Sequence, residues 1–159
     1  MKFLMAILFL SSFFINTHAL AQRTKPAVKP TKPVAYKVPK LTVTLGTYKD
    51  ASTFSPQTSE TVIAMPLKII DDKNVPYTLL SYQFAYKKVV TTEDENTGKS
   101  SKTTALKAGF FKVTPLPQNW VDLVREYPQP GEEWLFFAIT VKDAQGRVMY
   151  APDLKLLIK

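Results

Sequence analysis

The chain has no cysteine, and its one histidine is His18. Without cysteine there is no disulfide, so any folded part must be held by an ordinary apolar core. Beyond the first 21 residues there is no long apolar run, and no later segment reads as a membrane span. Acidic residues are missing from the whole stretch before Leu41. If the opening segment that carries His18 is removed on export, the remainder has neither Cys nor His. That excludes Ser-His-Asp and Cys-His nucleophilic machinery and the usual zinc sites.

That opening segment has three parts: Lys2 as a positive start, an apolar run from Phe3 to Ile15, and the small-residue end Ala19-Leu20-Ala21. This is the pattern of a cleavable secretory signal peptide over residues 1–21, with an A-x-A site and a mature N-terminus at Gln22. A membrane anchor needs about 20 apolar residues, and Asn16, Thr17 and His18 interrupt this run after 13. The sequence therefore predicts an exported protein, placed in the periplasm or on the cell surface, with no transmembrane segment in its mature chain.

Residues 22–40, QRTKPAVKPTKPVAYKVPK, hold Pro26, Pro30, Pro33 and Pro39 among Arg23, Lys25, Lys29, Lys32, Lys37 and Lys40. Proline at this density favours an extended polyproline II chain, and so few apolar groups do not offset the entropy of folding. The segment reads as a basic linker or arm of charge +6, whereas residues 41–159 carry 14 Lys plus Arg against 13 Asp plus Glu. The basic character of the whole chain thus belongs to the arm. A nucleic-acid protein would instead place a basic face with interleaved aromatics on the folded domain, so no nucleic-acid partner is expected. Such an arm suits an anionic surface or polymer, or serves as a solvated spacer.

Residues 41–159 are enough for one domain. Leu41, Val43 and Leu45 alternate, as do Ile63, Met65, Leu67 and Ile69, and again Leu80, Tyr82, Phe84 and Tyr86, with Val90 on the same face. Period-two patterns of this kind predict half-buried antiparallel strands. The run from Thr91 to Lys102 has no apolar residue and reads as an exposed loop between strands. Phe110, Phe111 and Val113 end the next strand. Trp120, Leu123, Val124 and Tyr127 follow helical spacing and predict one short helix before Pro128. Trp134 to Val141 is apolar on both faces, as in a central strand. Asp143-Ala144-Gln145-Gly146 reads as a type I turn closed by a left-handed glycine. Leu154, Leu156 and Ile158 supply a last strand. The expectation is an all-β fold: an antiparallel β-sandwich of about seven strands with one short helix.

Candidate sites are few. Glu93, Asp94, Glu95 and Asn96 with Gly98 form an acidic cluster of calcium-loop type, but a closing carboxylate is missing and a hairpin tip explains it. Asp71 and Asp72 before Pro76 read as a turn. Glu126, Glu132 and Glu133 are the carboxylates that glycosidase chemistry would need in a pair; they fall at a helix end and a strand start, where exposed charge is ordinary. Trp120, Trp134, Tyr48, Tyr127 and Tyr150 are candidates for stacking on sugar rings, although both tryptophans fall at core positions. No catalytic residue, cofactor or metal is expected.

The C-terminal stretch, from LKIIDDKNVPYTLLSYQFAYKKV through PGEEWLFFAITVKDAQGRVMYAPDLKLLIK, resembles the last periplasmic domain of the gliding-motility and type IX secretion protein GldM. The likeness rests on Ser81-Tyr82-Gln83-Phe84, Pro130-Gly131-Glu132, Phe137-Ala138-Ile139, Gly146-Arg147 and Leu154 to Ile158. It implies an immunoglobulin-like sandwich acting as a scaffold in a cell-envelope complex. The family protein has a transmembrane anchor and several periplasmic domains, whereas this chain pairs a cleavable leader with one domain, which fits an accessory subunit better than a motor component.

Together these readings give a non-enzymatic interaction or scaffold domain of the cell envelope, with protein partners or a second copy of itself. The alternative is a secreted module that binds glycan or anionic polymer through its arm. The expected binding residues are Arg23, Lys25, Lys29, Lys32, Lys37 and Lys40 of the arm, together with Leu41, Val43 and Leu45 of the first strand. That strand is an edge whose unpaired main-chain groups can accept another strand.

Overall fold

The computed structural model of the protein describes residues 36–159. The expected signal peptide, its cleavage point and the arm up to residue 35 lie outside the described residues. Lys37 to Lys159 form one compact unit. In chain order its elements are β1 (Leu41–Leu45), β2 (Ser52–Phe54), α1 (Pro56–Val62), β3 (Leu67–Asp71), β4 (Thr78–Glu93), β5 (Ser100–Phe111), α2 (Gln118–Arg125), β6 (Glu133–Lys142), β7 (Val148–Tyr150) and β8 (Leu154–Ile158).

β1 and β3 pair antiparallel as a two-stranded ribbon, Leu41 opposite Asp71 through Leu45 opposite Leu67. The larger sheet has the order β2-β8-β6-β4-β5, with β7 paired to β6. Its buried face is set by register: Phe84 lies opposite Phe136 and Tyr86 opposite Trp134, while Trp134 and Phe136 lie opposite Leu156 and Leu154. These residues join Leu41, Val43, Leu45, Leu67 and Ile69 of the ribbon in one hydrophobic core. Alternation in the sequence therefore maps onto burial, because successive strand residues point to opposite faces.

β6 reads as apolar on both faces for a reason the register explains. Ala138 adopts φ 49° where the β4–β6 pairing shifts, between Ser81 opposite Thr140 and Gln83 opposite Phe137. This bulge puts Phe137 and Ala138 consecutively on the outer side and returns Ile139 and Val141 to the core. β6 is central in the ladder, but only one of its faces is sealed; Leu135 and Phe137 are half-buried on the other. The turn that follows agrees with the sequence reading. Gly146 has φ 81°, and Asp143 accepts the N–H groups of Gln145 and Arg147 through its Oδ1 at 2.9 Å each.

Several expectations are corrected. Among the described residues there are two helices and eight strands, and β2 runs parallel to β8, so the larger sheet is mixed and not purely antiparallel. Ile63 and Met65 are not strand residues: α1 ends at Val62 with Ile63 as its C-cap. Its start signal is present in the sequence, since Ser55 caps the helix by accepting the Thr58 N–H at 3.3 Å and Pro56 occupies its first turn. The helix hides from a periodicity search because its inward positions are Ser59, Val62 and Ile63, one of them polar. Thr91 to Lys102 is not all loop; β4 runs on to Glu93 and β5 begins at Ser100. α2 stops at Arg125, and Tyr127, expected on its apolar stripe, is 81% exposed at φ 54°. Trp120 does face the sheet, edge-on to Phe84 and Phe111 at 5.8 and 5.3 Å between ring centres.

Candidate functional site

The expected binding residues divide three ways. Arg23, Lys25, Lys29 and Lys32 lie outside the described residues. Lys37 and Lys40 are exposed and line an open groove of about 420 Å³ with Asp71, Asp72 and Lys73. Leu41, Val43 and Leu45 are core residues, 7%, 4% and 1% exposed, so their side chains are closed to a partner. Their main chain is covered as well, since these are whole-residue exposures. Leu45 exchanges N–H and C=O with Tyr48 at 3.0 Å, which shows that it faces away from β3. By the two-residue period, Leu41 and Val43 face the same way, and among the described residues their main-chain groups have no partner on that edge.

An open edge lies at the end of the molecule's main sheet, and the sequence reading did not single it out. β5 pairs with β4 along all 12 of its residues, from Ser100 opposite Glu93 to Phe111 opposite Tyr82, and has no strand on its far side among the described residues. The Asp94 N–H donates to the Lys99 carbonyl at 3.0 Å, which fixes that pair as bonded across the hairpin. Since bonded and outward-turned residues alternate, Ser100, Lys102, Thr104, Leu106, Ala108 and Phe110 turn their N–H and C=O groups away from β4. Val89 confirms the phase: it lies opposite Thr104 and donates its N–H away from β5, to Glu132 Oε1 at 3.2 Å.

Beyond Lys87 opposite Glu133, β6 pairs no further with β4. The outer half of the β4–β5 hairpin is therefore a two-stranded ribbon projecting past the sheet. Its tip is the acidic cluster. Asp94 Oδ1 accepts the Asn96 and Thr97 N–H groups at 2.9 and 3.0 Å, and these bonds hold its carboxyl below the usual carboxylate range. The tip is thus a side-chain-closed turn. No group of three or more acidic residues is placed to hold a metal ion among the described residues.

The outer face of the sheet is partly apolar. Phe110 and Leu106 of β5 are 59% and 71% exposed, and Phe110 lies opposite Gln83, which lies opposite half-buried Phe137. Lys112 Nζ stands 5.9 Å from the centre of the Phe110 ring, a cation over an aromatic face. Across the same face Glu133 meets Lys155 at 2.9 Å and Lys87 at 3.5 Å. The hydrogen bond from Lys155 leads in holding the Glu133 carboxyl low.

The other carboxylates have partners of their own. Glu126 Oε2 meets Lys88 Nζ at 3.4 Å. Glu132, expected at an exposed strand start, is fully buried: its Oε2 accepts the Tyr86 hydroxyl at 2.6 Å. Burial pushes the Tyr86 phenol far up, and the neighbouring carboxylate adds to that. Of the aromatic candidates, Trp134 is fully buried and Trp120 is packed against the sheet, while Tyr127 and Tyr150 are exposed. Comparison of the chain with family models, with curated proteins and with solved structures returns no match. The signal that would have found β5 is in the sequence: Leu106 and Phe110 sit four apart, hence on one strand face, and no acidic residue occurs from Ser100 to Val113.

Proposed function

We propose that this chain is an exported, non-catalytic interaction domain that works as a scaffold component of the cell envelope. The observation that carries the reading is the exposed surface: a 12-residue open edge strand and a projecting hairpin. The open grooves, of about 290 to 420 Å³, lie elsewhere, along α1 and α2, along the stretch before β1 and along β3. In its finer form the reading takes the fold as an immunoglobulin-like sandwich whose second sheet is the β1–β3 ribbon, similar to the last periplasmic domain of GldM. The basic arm, with Arg23, Lys25, Lys29, Lys32, Lys37 and Lys40, acts as spacer or tether, and β1 directly follows it.

The test is in-cell photo-crosslinking from exposed positions on the hairpin and the outer face, combined with fractionation and intact mass. Discrete adducts with envelope proteins, in a chain that starts at Gln22, are expected. A chain that keeps residues 1–21 in the cytoplasm would remove the export reading, and absence of adducts from every position would remove the interaction reading. The three lysines Lys37, Lys40 and Lys73 of the groove, which outnumber its two carboxylates Asp71 and Asp72, favour one competitor, an anionic-polymer module. Tight polyanion binding that disappears when the arm lysines are neutralised, without protein adducts, would decide for that competitor.

A further inference from the structure

We propose that the open edge of β5 is a strand-addition site for an extended, acidic segment of a partner protein; this rests on the interaction reading above and names the partner's chemistry. Addition of a strand to an exposed edge is a general mode of peptide recognition, in which main-chain bonds give affinity and side chains give specificity. Lys102, Thr104, Leu106, Ala108 and Phe110 supply the outward N–H and C=O groups, and they are consecutive members of one alternating set. An edge this long is normally blunted by charge, proline or a bulge. β5 has no proline and no shift in its register with β4; what it has is charge of one sign.

Lys102, Lys107 and Lys112 punctuate the edge with no acidic residue between Ser100 and Val113. A second copy of this chain is a poor occupant for that reason. In the antiparallel register centred on Lys107, Lys102 would face Lys112 and Lys107 would face its own copy. In any other register the lysines still meet no carboxylate on the opposing strand. The basic arm is mismatched in the same way. An acidic strand is matched: like charges directly opposite destabilise a strand pair, and opposite ones support it. The outer face adds a second requirement, because Leu106 and Phe110 stand exposed beside the edge. The fitting segment therefore places apolar residues against these two on the outer face and carboxylates on its opposite face, beside Lys107.

The probe is a ten-residue peptide in which glutamate alternates with valine and threonine, compared with its lysine counterpart on the full chain. Binding is read by fluorescence anisotropy and by amide hydrogen exchange. The acidic peptide is expected to bind and to slow exchange at Lys102, Thr104, Leu106, Ala108 and Phe110. Their odd-numbered neighbours, already bonded to β4, should change little. Leu106→Pro removes an outward donor and no bond of the β4–β5 ladder, a position where an edge strand tolerates proline. With folding confirmed by circular dichroism, it should weaken the peptide at least about tenfold. The double variant Lys102→Glu with Lys107→Glu should turn the preference toward the lysine peptide.

No binding by the unaltered chain, binding indifferent to Leu106→Pro, or a preference unchanged by charge reversal would each overturn the proposal. So would a concentration-dependent dimer that Leu106→Pro abolishes, since a second copy would then be the occupant. Envelope adducts that persist at full yield in Leu106→Pro would remove this edge while leaving the interaction reading standing. Absence of adducts from the unaltered chain at every position would remove the interaction reading itself.

Discussion

Glu132 carries a carboxylate into the core with no ion-pair partner among the described residues, held instead by the Tyr86 hydroxyl and the Val89 N–H. Hydrogen bonds to a charged group contribute about 1.5–3 kcal/mol each, and a buried donor left unpaired costs about 1–3 kcal/mol. Glu132→Ala should therefore cost about 3 kcal/mol in urea unfolding, and Glu132→Gln less, because the amide oxygen still accepts from Val89. Combined with Tyr86→Phe the losses should be less than additive, since the two residues share one bond. The phenols give a second readout. Burial raises Tyr82, and burial plus Glu132 raises Tyr86, above the ordinary value of 10.0. The folded state thus favours their neutral forms, so that stability is fully present below about pH 10 and is lost as pH rises beyond it. In an alkaline absorbance titration, Tyr82 and Tyr86 should stay silent until the protein unfolds. Trp134 was readable as a core residue from its strand, and Trp134→Ala should cost about 3–5 kcal/mol. Glu132 was not readable, because a charge beside a strand start is exposed unless a hydroxyl from another strand comes to meet it.

Among the elements, the β4–β5 hairpin divides at Lys87, the last β4 residue opposite β6. Inside that point β4 is bonded to both β5 and β6; outside it the two strands have only each other. A two-stranded ribbon in water is marginal by itself, so native-state hydrogen exchange should be slow at Tyr82 to Tyr86 and fast from Val90 to Thr103, with the boundary moving inward in Glu132→Ala. This division also explains what the sequence concealed. Tyr82, Phe84 and Tyr86 announce a strand because one of their faces is sealed. The TTE and SSK stretches need no apolar residue, being exposed on both faces, and so read as loop. The docking of α2 on this hairpin depends on one glycine. A Cβ at Gly109 would stand 2.8 Å from Trp120 Cζ2 and 2.7 Å from Phe111 Cζ. Both neighbours are ring atoms packed on one another, so Gly109→Val should displace Trp120 and cost about 1–3 kcal/mol, visible as a changed tryptophan emission.

At the scale of the molecule, the charge and the core belong to different stretches of chain. The compact unit starts at Lys37 and its first core side chain is Leu41. Among the described residues, no group before Leu41 is part of the core that β1, β3 and the larger sheet bury. The basic charge that sets the high isoelectric point lies before Leu41, while residues 41–159 are nearly neutral. A chain beginning at Lys37 should therefore unfold with the same urea slope as one beginning at Gln22, because the slope follows the surface exposed on unfolding. Its Tm should differ by less than about 2 °C, well under the shift that follows the loss of even 1 kcal/mol in a domain of this size. Attraction to anionic vesicles should respond differently. It falls with added salt when it arises from clustered lysines near a surface, and it should largely disappear with residues 22–36 removed. A marked fall in Tm on truncation would show that the arm packs against the core, and vesicle binding that survives truncation would place the basic surface on the folded unit instead.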